Sequence, residues 1–305
     1  MFSKTNVAKR IKRTGLNFMA KVQVALPVYN GSTYLRQALE SLEKQTYKDF
    51  EVVVYNNASK DNSGEIAEEF AVKDARFKVV HREKTVPLLE NFLGTFEGAD
   101  CEYLIWRAHD DYSEANMIEV LANALDENPS AGLAAPSIIT HKRNRDIHRK
   151  MPRILKGKAL EPASLLWGGH ASWIYGMFRP RDLERYYRDA LANLEHLWAI
   201  DHATMLPLIL DRRVALAPET IFHQQILEDP IKWRMAQPSH ADKKAIFHQY
   251  LTYGYRLIDE RDFNRPQRLL LRAVFFRHVS KRTFRISRLT RAEVGSRLGL
   301  LSESA

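Results

Sequence analysis

Five short apolar runs, 22–28, 50–55, 77–80, 103–106 and 133–139, punctuate the first half of the chain, and the stretches between them change period. There the apolar residues fall three and four positions apart, as in Leu35, Leu39 and Leu42, then Ile66 and Phe70, and again from Asn116 to Leu125. Short strands alternating with amphipathic helices can bury both sets of apolar faces only as a mostly parallel sheet with helices packed on it. The pattern therefore predicts an α/β domain. Ser32 and Asp61 stand where they could cap the first two helices. In such sheets ligands bind beyond the carboxyl ends of the strands. That directs attention to Pro27-Val28-Tyr29-Asn30-Gly31, Asn56-Asn57-Ala58-Ser59 and Arg107-Ala108-His109-Asp110-Asp111.

The second half is less regular. Residues 141–158 hold eight Lys/Arg and one Asp and read as a structure-poor stretch, either a loop that closes over a diphosphate or anionic acceptor, or a solvated segment. A strand is expected over 172–178, helices over 183–194 and 196–210, a short strand near 214–217, and basic helix from about residue 241.

Charge sorts the chain further. Of the net +9, residues 1–21 carry +6 and residues 261–305 carry +8, which leaves the body at −5. Basic residues at both ends alternate with apolar ones: Val7, Ile11 and Phe18 at one, Leu269, Val274, Phe275 and Phe276 at the other. Such amphipathic ends suit an anionic membrane surface, or they pack on the body with a solvated basic face. An acidic body argues against a nucleic-acid binder, whose affinity would fall steeply with salt. Cys101 is the only cysteine, which excludes an intrachain disulfide and a thiolate metal cluster and fits a reducing compartment. Lys21 and Gln23 interrupt the apolar run from Phe18, and nothing reaches the length of a membrane span, so a cytoplasmic protein, peripheral on the inner membrane face, is expected.

The motifs taken together resemble the nucleotide-binding half of glycosyltransferase family 2 over roughly residues 21–140. They are Pro27-x-Tyr29-Asn30, then Gln45-Thr46-Tyr47-x-x-Phe50-Glu51, Asn56-Asn57-Ala58-Ser59, a helix bearing Asn91, and a strand leading into Asp110-Asp111. The resemblance implies a GT-A (Rossmann-like) nucleotide-binding domain with basic helical extensions. It divides the chain into an N-terminal segment 1–20, a nucleotide-sugar half 21–140, an acceptor half 141–240 and a C-terminal extension 241–305. The activity implied is inverting transfer from a nucleoside-diphosphate sugar, a UDP-sugar favoured, to a glycan or lipid-linked acceptor in bacterial surface polysaccharide synthesis.

Position by position, the resemblance places Pro27, Tyr29, Asn30, Asn56, Asn57, Asn91, Arg107 and Asp110 around the nucleotide. Asn56 departs from the usual Asp, and its amide can donate as well as accept. Asp110, with Asp111 second, is expected to hold Mg²⁺ or Mn²⁺, hard cations that suit carboxylate oxygens. Ala108 stands where the metal motif usually opens with Asp; Trp106-x-Ala108-x-Asp110-Asp111 resembles one branch of the family. Asp111 or Ser113 could equally cap the next helix, and His109 reads as a packing neighbour in preference to a ligand. Asp201 is the expected general base, with Glu195 and Asp182 as weaker choices. His170, Trp173 and Tyr175 are acceptor-side candidates and His223 a contact to diphosphate or metal. Asn56 and Ala108 also leave open a catalytically silent GT-A domain serving as a scaffold. The first strand lacks the Gly-x-Gly-x-x-Gly turn of a dinucleotide oxidoreductase.

Overall fold

A computed structural model describes residues 20–97, 99–196, 199–226 and 239–282. The basic segment 1–20 lies outside these but for its last residue, as do 283–305. The first strands stand close to where the sequence puts them. Strands β1 (Val22–Val28) and β2 (Phe50–Asn56) are buried along their whole length, which is why they are mostly apolar without alternation, Gln23, Glu51 and Asn56 being the buried polar exceptions. Strands β3 (Phe77–His81) and β4 (Tyr103–Trp106) complete a parallel set in the order β3-β2-β1-β4. Helix α1 (Ser32–Glu43) turns Leu35, Ala38, Leu39 and Leu42 inward, and α2 (Ser63–Lys73) turns Ile66, Ala67 and Phe70. A short α3 (Leu88–Leu93) leads back to β4, and α4 (Met117–Asp126) follows it.

Past β4 the sheet is mixed. Strands β5 (Tyr112–Ser113), β6 (Leu133–Lys142), β7 (Arg145–Arg149), β8 (Met177–Phe178) and β9 (Val214–Gln225) extend it as β4-β8-β6-β9-β5, with β7 pairing β6. Only β6 and β9 are parallel there; β8, β7 and β5 all pair antiparallel. The division expected at residue 140 falls inside β6, so the two halves share a strand.

Three expectations are corrected here. The stretch 141–158 is not wholly irregular, because β6 and β7 form a hairpin whose outer strand is mostly exposed. Over 172–178 only the last two residues are strand; Ala171–Tyr175 is a 3₁₀ turn, started by the His170 ring accepting from the Ser172 N–H at 3.1 Å. The strand expected to end near Ala217 runs on to Gln225, across a bulge opposite Pro136/Ser137 where β9 carries Pro218.

Helices α5 (Leu160–Gly168), α6 (Pro180–Asn193) and α7 (Ile200–Leu210) cover the second half. Helices α8 (His240–Asp259) and α9 (Arg265–Arg282) pack as a pair against α7 and α5. Ser239 caps α8 with a reciprocal bond to Asp242. No helix among the described residues is long and apolar enough to cross a membrane.

The first helical turns are tied to one another by a group expected to serve only one of them. Asp61 accepts from the Ser63 N–H and hydroxyl at 3.0 and 2.5 Å and from the Ser32 N–H at 3.0 Å, so it joins the N-termini of α1 and α2. Burial works to raise its pKa, but these bonds outweigh it and hold the carboxyl below its ordinary value. Ser32 itself makes no side-chain cap. Gly31, just before α1, has no room for a side chain: a Cβ would lie 2.3 Å from His109 Cδ2 and 2.8 Å from Val28 Cγ2. We expect Gly31→Ala to destabilise the fold by about 1–3 kcal/mol through overpacking, seen as a lower denaturant midpoint at unchanged slope.

Candidate active site

A cavity of about 390 Å³ opens where the carboxyl ends of β1 and β4 face the second half of the domain. The first half contributes Pro27, Trp106, Ala108, His109, Asp110 and Asp111 to its wall, together with Leu89 and Phe92 of α3. The second half contributes Ile174, Tyr175, Tyr187, Ile200, Asp201, Gln224 and Gln225. Three carboxylates thus meet in a largely apolar pocket, although Asp201 lies ninety-odd residues from the other two in sequence.

Their surroundings differ. The Asp110 carboxylate is half-buried and takes no hydrogen bond from the described residues; only its backbone carbonyl is engaged, by Gln225 Nε2 at 2.8 Å. Asp111 is buried, and its Oδ1 accepts the Gln225 N–H at 2.8 Å. Burial raises its pKa, the Asp110 charge adds to that, and the Gln225 N–H and Arg107 pull the other way. Asp201 sits in the first turn of α7 among Ile200, Tyr187 and Ile174. Burial pushes its pKa up to about 6, and no hydrogen bond to its carboxylate offsets this among the described residues. An unbonded carboxylate that titrates near neutrality in a cleft is what a general base requires. Glu195 and Asp182 are otherwise occupied: Glu195 accepts from Gln249 at 2.8 Å and Asp182 pairs with Arg213 at 2.6 Å.

Tyr175 stands among the three acids. Its ring stacks on Phe222 at 5.3 Å, and burial lifts the phenol pKa well above its usual value, with Asp201, Asp111 and Asp110 adding to the shift in that order. Its hydroxyl therefore stays protonated and can donate to an anion or a sugar oxygen. Of the three acceptor-side candidates only Tyr175 reaches the cavity. Trp173 is buried, donating from Nε1 to the Pro136 carbonyl at 3.1 Å, and His170 starts the 3₁₀ turn.

Several expected nucleotide contacts turn out to brace the loops. Asn56 accepts the Ser59 N–H at 3.1 Å and bonds His81 Nδ1 at 3.0 Å, so both ends of its amide are engaged within the protein. Asn57 clamps the Val86 backbone with two bonds of 2.8 and 2.9 Å, and Asn91 takes Arg82 Nε at 2.9 Å. Asn30 adopts a left-handed backbone and accepts the Lys60 N–H at 2.8 Å. Pro27 lines the cavity; Tyr29 and Asn30 do not. Arg107 is wholly buried away from it, donating to Ser113 at 3.0 Å and lying over the Phe222 ring at 5.0 Å. Desolvation lowers its pKa to about 10, which leaves it charged at neutral pH, with Asp111 supporting the charge. His109 packs on Gly31, and burial lowers its pKa so that the ring is neutral.

Neither Asp111 nor Ser113 caps α4, whose N-cap position is Asn116. His223 lines a second cavity with Tyr112 and Glu114, bonded to Glu114 at 3.0 Å and to His141 at 2.9 Å. That places it outside the cavity of Asp110.

Two residues were not anticipated. Gln45 is buried, donating to the Ser41 and Glu114 carbonyls and accepting the Ile118 N–H at 3.0 Å, which pins the segment after Asp110-Asp111 to the end of α1. The Gln-Thr-Tyr motif was its signal. Gln225 bridges the two acids, its N–H donating to the Asp111 carboxylate and its Nε2 to the Asp110 carbonyl, and it donates to Gln37 at 2.9 Å. Nothing in the sequence marks it, because it lies beyond the expected end of β9.

A divalent cation fits this donor set only as a partner of the substrate. No cluster of three metal-ligating side chains occurs among the described residues, yet Asp110 offers a free, half-exposed carboxylate beside Asp111. A hard cation would complete its shell with phosphate and water oxygens.

Comparison with known proteins gives the family and the fold. The family model described as Glycosyl transferase family 2 matches residues 23–187. Glycosyltransferase GlyG of Streptococcus pneumoniae serotype 4 is 34% identical over 106 residues, 35% of this chain and 35% of GlyG. The matched region is therefore about a third of that relative's length. Among solved structures, S. aureus TarS 1-349 in complex with UDP-GlcNAc superposes with a TM-score of 0.64 at 18% identity, over 85% of this chain and 73% of that one. Mannosyltransferase PcManGT from Pyrobaculum calidifontis, in complex with GDP-Man and Mn²⁺, gives 0.56 at 14%, over 94% and 77%. At such identities these two show a shared fold and no more.

Proposed function

The chain belongs to glycosyl transferase family 2, and we propose that it transfers a sugar, with inversion, from a nucleoside-diphosphate sugar to a hydroxyl of a glycan or lipid-linked acceptor. One observation carries the reading: a single cavity brings the carboxylate of Asp110, unbonded among the described residues, together with the desolvated carboxylate of Asp201. Transfer needs one group at the departing diphosphate and another at the incoming hydroxyl. The cavity holds one from each half of the domain.

Asp110, supported by Asp111, would hold Mg²⁺ or Mn²⁺; when bound, the cation offsets the charge that gathers on the leaving diphosphate. Asp201 accepts the proton of the acceptor hydroxyl as that oxygen attacks the anomeric carbon. The diphosphate and the incoming hydroxyl then lie on opposite sides of the sugar, so its configuration inverts. Tyr175, held protonated, donates to a donor or acceptor oxygen between them. Trp106, Phe92 and Ile174 exclude water, which would otherwise take the sugar by hydrolysis. By the family resemblance of its motifs, the donor favoured is a UDP-sugar. Pathway membership in surface polysaccharide synthesis rests on the same family resemblance.

Thermal-shift titration with UDP, GDP and TDP, each with and without Mn²⁺, tests the donor class. We expect UDP alone to raise Tm substantially and to need the metal; at a hundredfold excess over Kd the gain is about 2.7 kcal/mol. No stabilisation by any nucleotide would reject the reading.

A further inference from the structure

The outward face of α9 is apolar where a solvated helix would be polar. Leu269 is 62% exposed, Leu270 38% and Phe276 36%, and with Ala273 they form one stripe at three- and four-residue spacing. The opposite face, Leu271, Phe275 and Val279, is fully buried, so the helix is docked by one side and leaves a second apolar side largely uncovered by the described residues, with Phe276 edge-on to Phe247 at 5.8 Å at its margin. Beside the stripe, at the end of α5, Trp167 is 57% exposed. Arg277 lies over its ring at 3.1 Å and Lys281 at 5.7 Å.

Charge decides what covers this face. Helix α9 holds six Lys/Arg and no acid. Two of the six, Arg268 and Arg272, are paired with Asp259. Arg277 and Lys281 have their charge beside the exposed indole. A second copy of the chain meeting this face about a two-fold axis would bring cations against cations, which disfavours self-association. A surface that takes Leu and Phe side chains to a shallow depth, with Trp and basic groups at the level of anionic headgroups, meets every feature of the patch.

We infer that the outward stripe of α9, with Trp167, Arg277 and Lys281, docks the protein on an anionic lipid surface. Of the residues expected to make such a face, Leu269 and Phe276 belong to it, while Phe275 is core and Val274 is half-buried. Trp167 was not anticipated. It ends the helix whose following turn carries Tyr175 into the cavity, so a docked surface and the acceptor side of the site are joined by one short segment. The inference does not depend on the transferase reading.

Vesicle co-sedimentation of the full chain tests it, comparing neutral phosphatidylcholine with vesicles containing about 30% phosphatidylglycerol, at about 0.1 M and about 0.5 M salt. The expected result is binding to the anionic vesicles alone, weakened at high salt. Each basic group near the surface is worth about fivefold in partitioning, so Arg277→Glu/Lys281→Glu should weaken binding at least about tenfold. Leu269→Ser/Phe276→Ser should do the same by removing apolar insertion. The denaturant midpoint and its slope should be unchanged in both variants, which shows them folded whether or not UDP binds and separates this outcome from that of the active-site reading. Absence of wild-type binding, equal binding to neutral vesicles, or full retention by both double variants would overturn the inference. So would a concentration-dependent dimer that either variant abolishes, since a second copy would then cover the stripe.

Discussion

Asp201→Asn should reduce the rate of sugar transfer by about 10²–10⁴-fold while leaving nucleotide affinity intact, because the amide cannot take the acceptor proton but keeps the shape of the cavity wall. Its pH behaviour should identify it. Burial sets the Asp201 pKa at about 6, so wild-type kcat/KM should climb as pH rises through that value and level off above it. The variant's residual rate should lack that limb. Stability should move the other way. A carboxyl whose folded pKa exceeds its unfolded value stabilises the fold below about pH 4, and that contribution is lost as pH rises through about 6. At pH 7.5 the ionised, unbonded group is therefore a burden. Asp201→Asn should relieve it by about 1–3 kcal/mol, raising Tm at neutral pH and leaving it nearly unchanged near pH 4. A purely structural Asp201 would give a variant that is less stable and no less active.

The second large effect belongs to Asp110. Because its carboxylate has no hydrogen bond to the described residues, Asp110→Ala removes no such bond among them and should leave the unfolding midpoint within about 0.5 kcal/mol of wild type. It should nonetheless abolish the Mn²⁺-dependent part of UDP binding in calorimetric titration and lower transfer by about 10²–10³-fold, the scale for loss of a group that stabilises developing charge. Asp111→Ala differs in kind. Asp111 holds the Gln225 N–H and faces the buried Arg107, so its removal should lower stability as well as activity. The two neighbours in sequence are thus separable by the ratio of activity loss to stability loss.

The parallel half of the fold was legible because β1 and β2 are covered on both faces, and such strands read as nearly continuous apolar runs. The second half resisted because its pairing is non-local and mixed. Strand β8 is two residues long, the hairpin β6–β7 is polar because it is exposed, and the last part of β9 carries Gln and His for reasons that lie in its neighbours. At the site, Asp110 and Asp201 were singled out by motif and position, and both line one cavity, on which their proposed roles rest. The asparagines have a bracing role that their positions did not announce. Asn56, Asn57 and Asn91 sit at strand ends and on a helix near the ligand region, but their amides are spent on Ser59, Val86 and Arg82. A side chain that can donate and accept is suited to fastening loops that lack regular bonding, and sequence position alone cannot separate that from ligand contact. Arg107 shows the same limit: it is buried against Phe222, while the next four residues, Ala108 to Asp111, line the cavity.

The central claim is that donor diphosphate and acceptor hydroxyl meet between Asp110 and Asp201. Crystals of the full chain grown with UDP and Mn²⁺ test it most directly. The account predicts density for the metal within bonding distance of an Asp110 carboxylate oxygen, with the diphosphate in the cavity and Asp201 facing its open side. Nucleotide bound elsewhere on the domain, or in the cavity with Asp110 and Asp201 both turned away from it, would contradict the account.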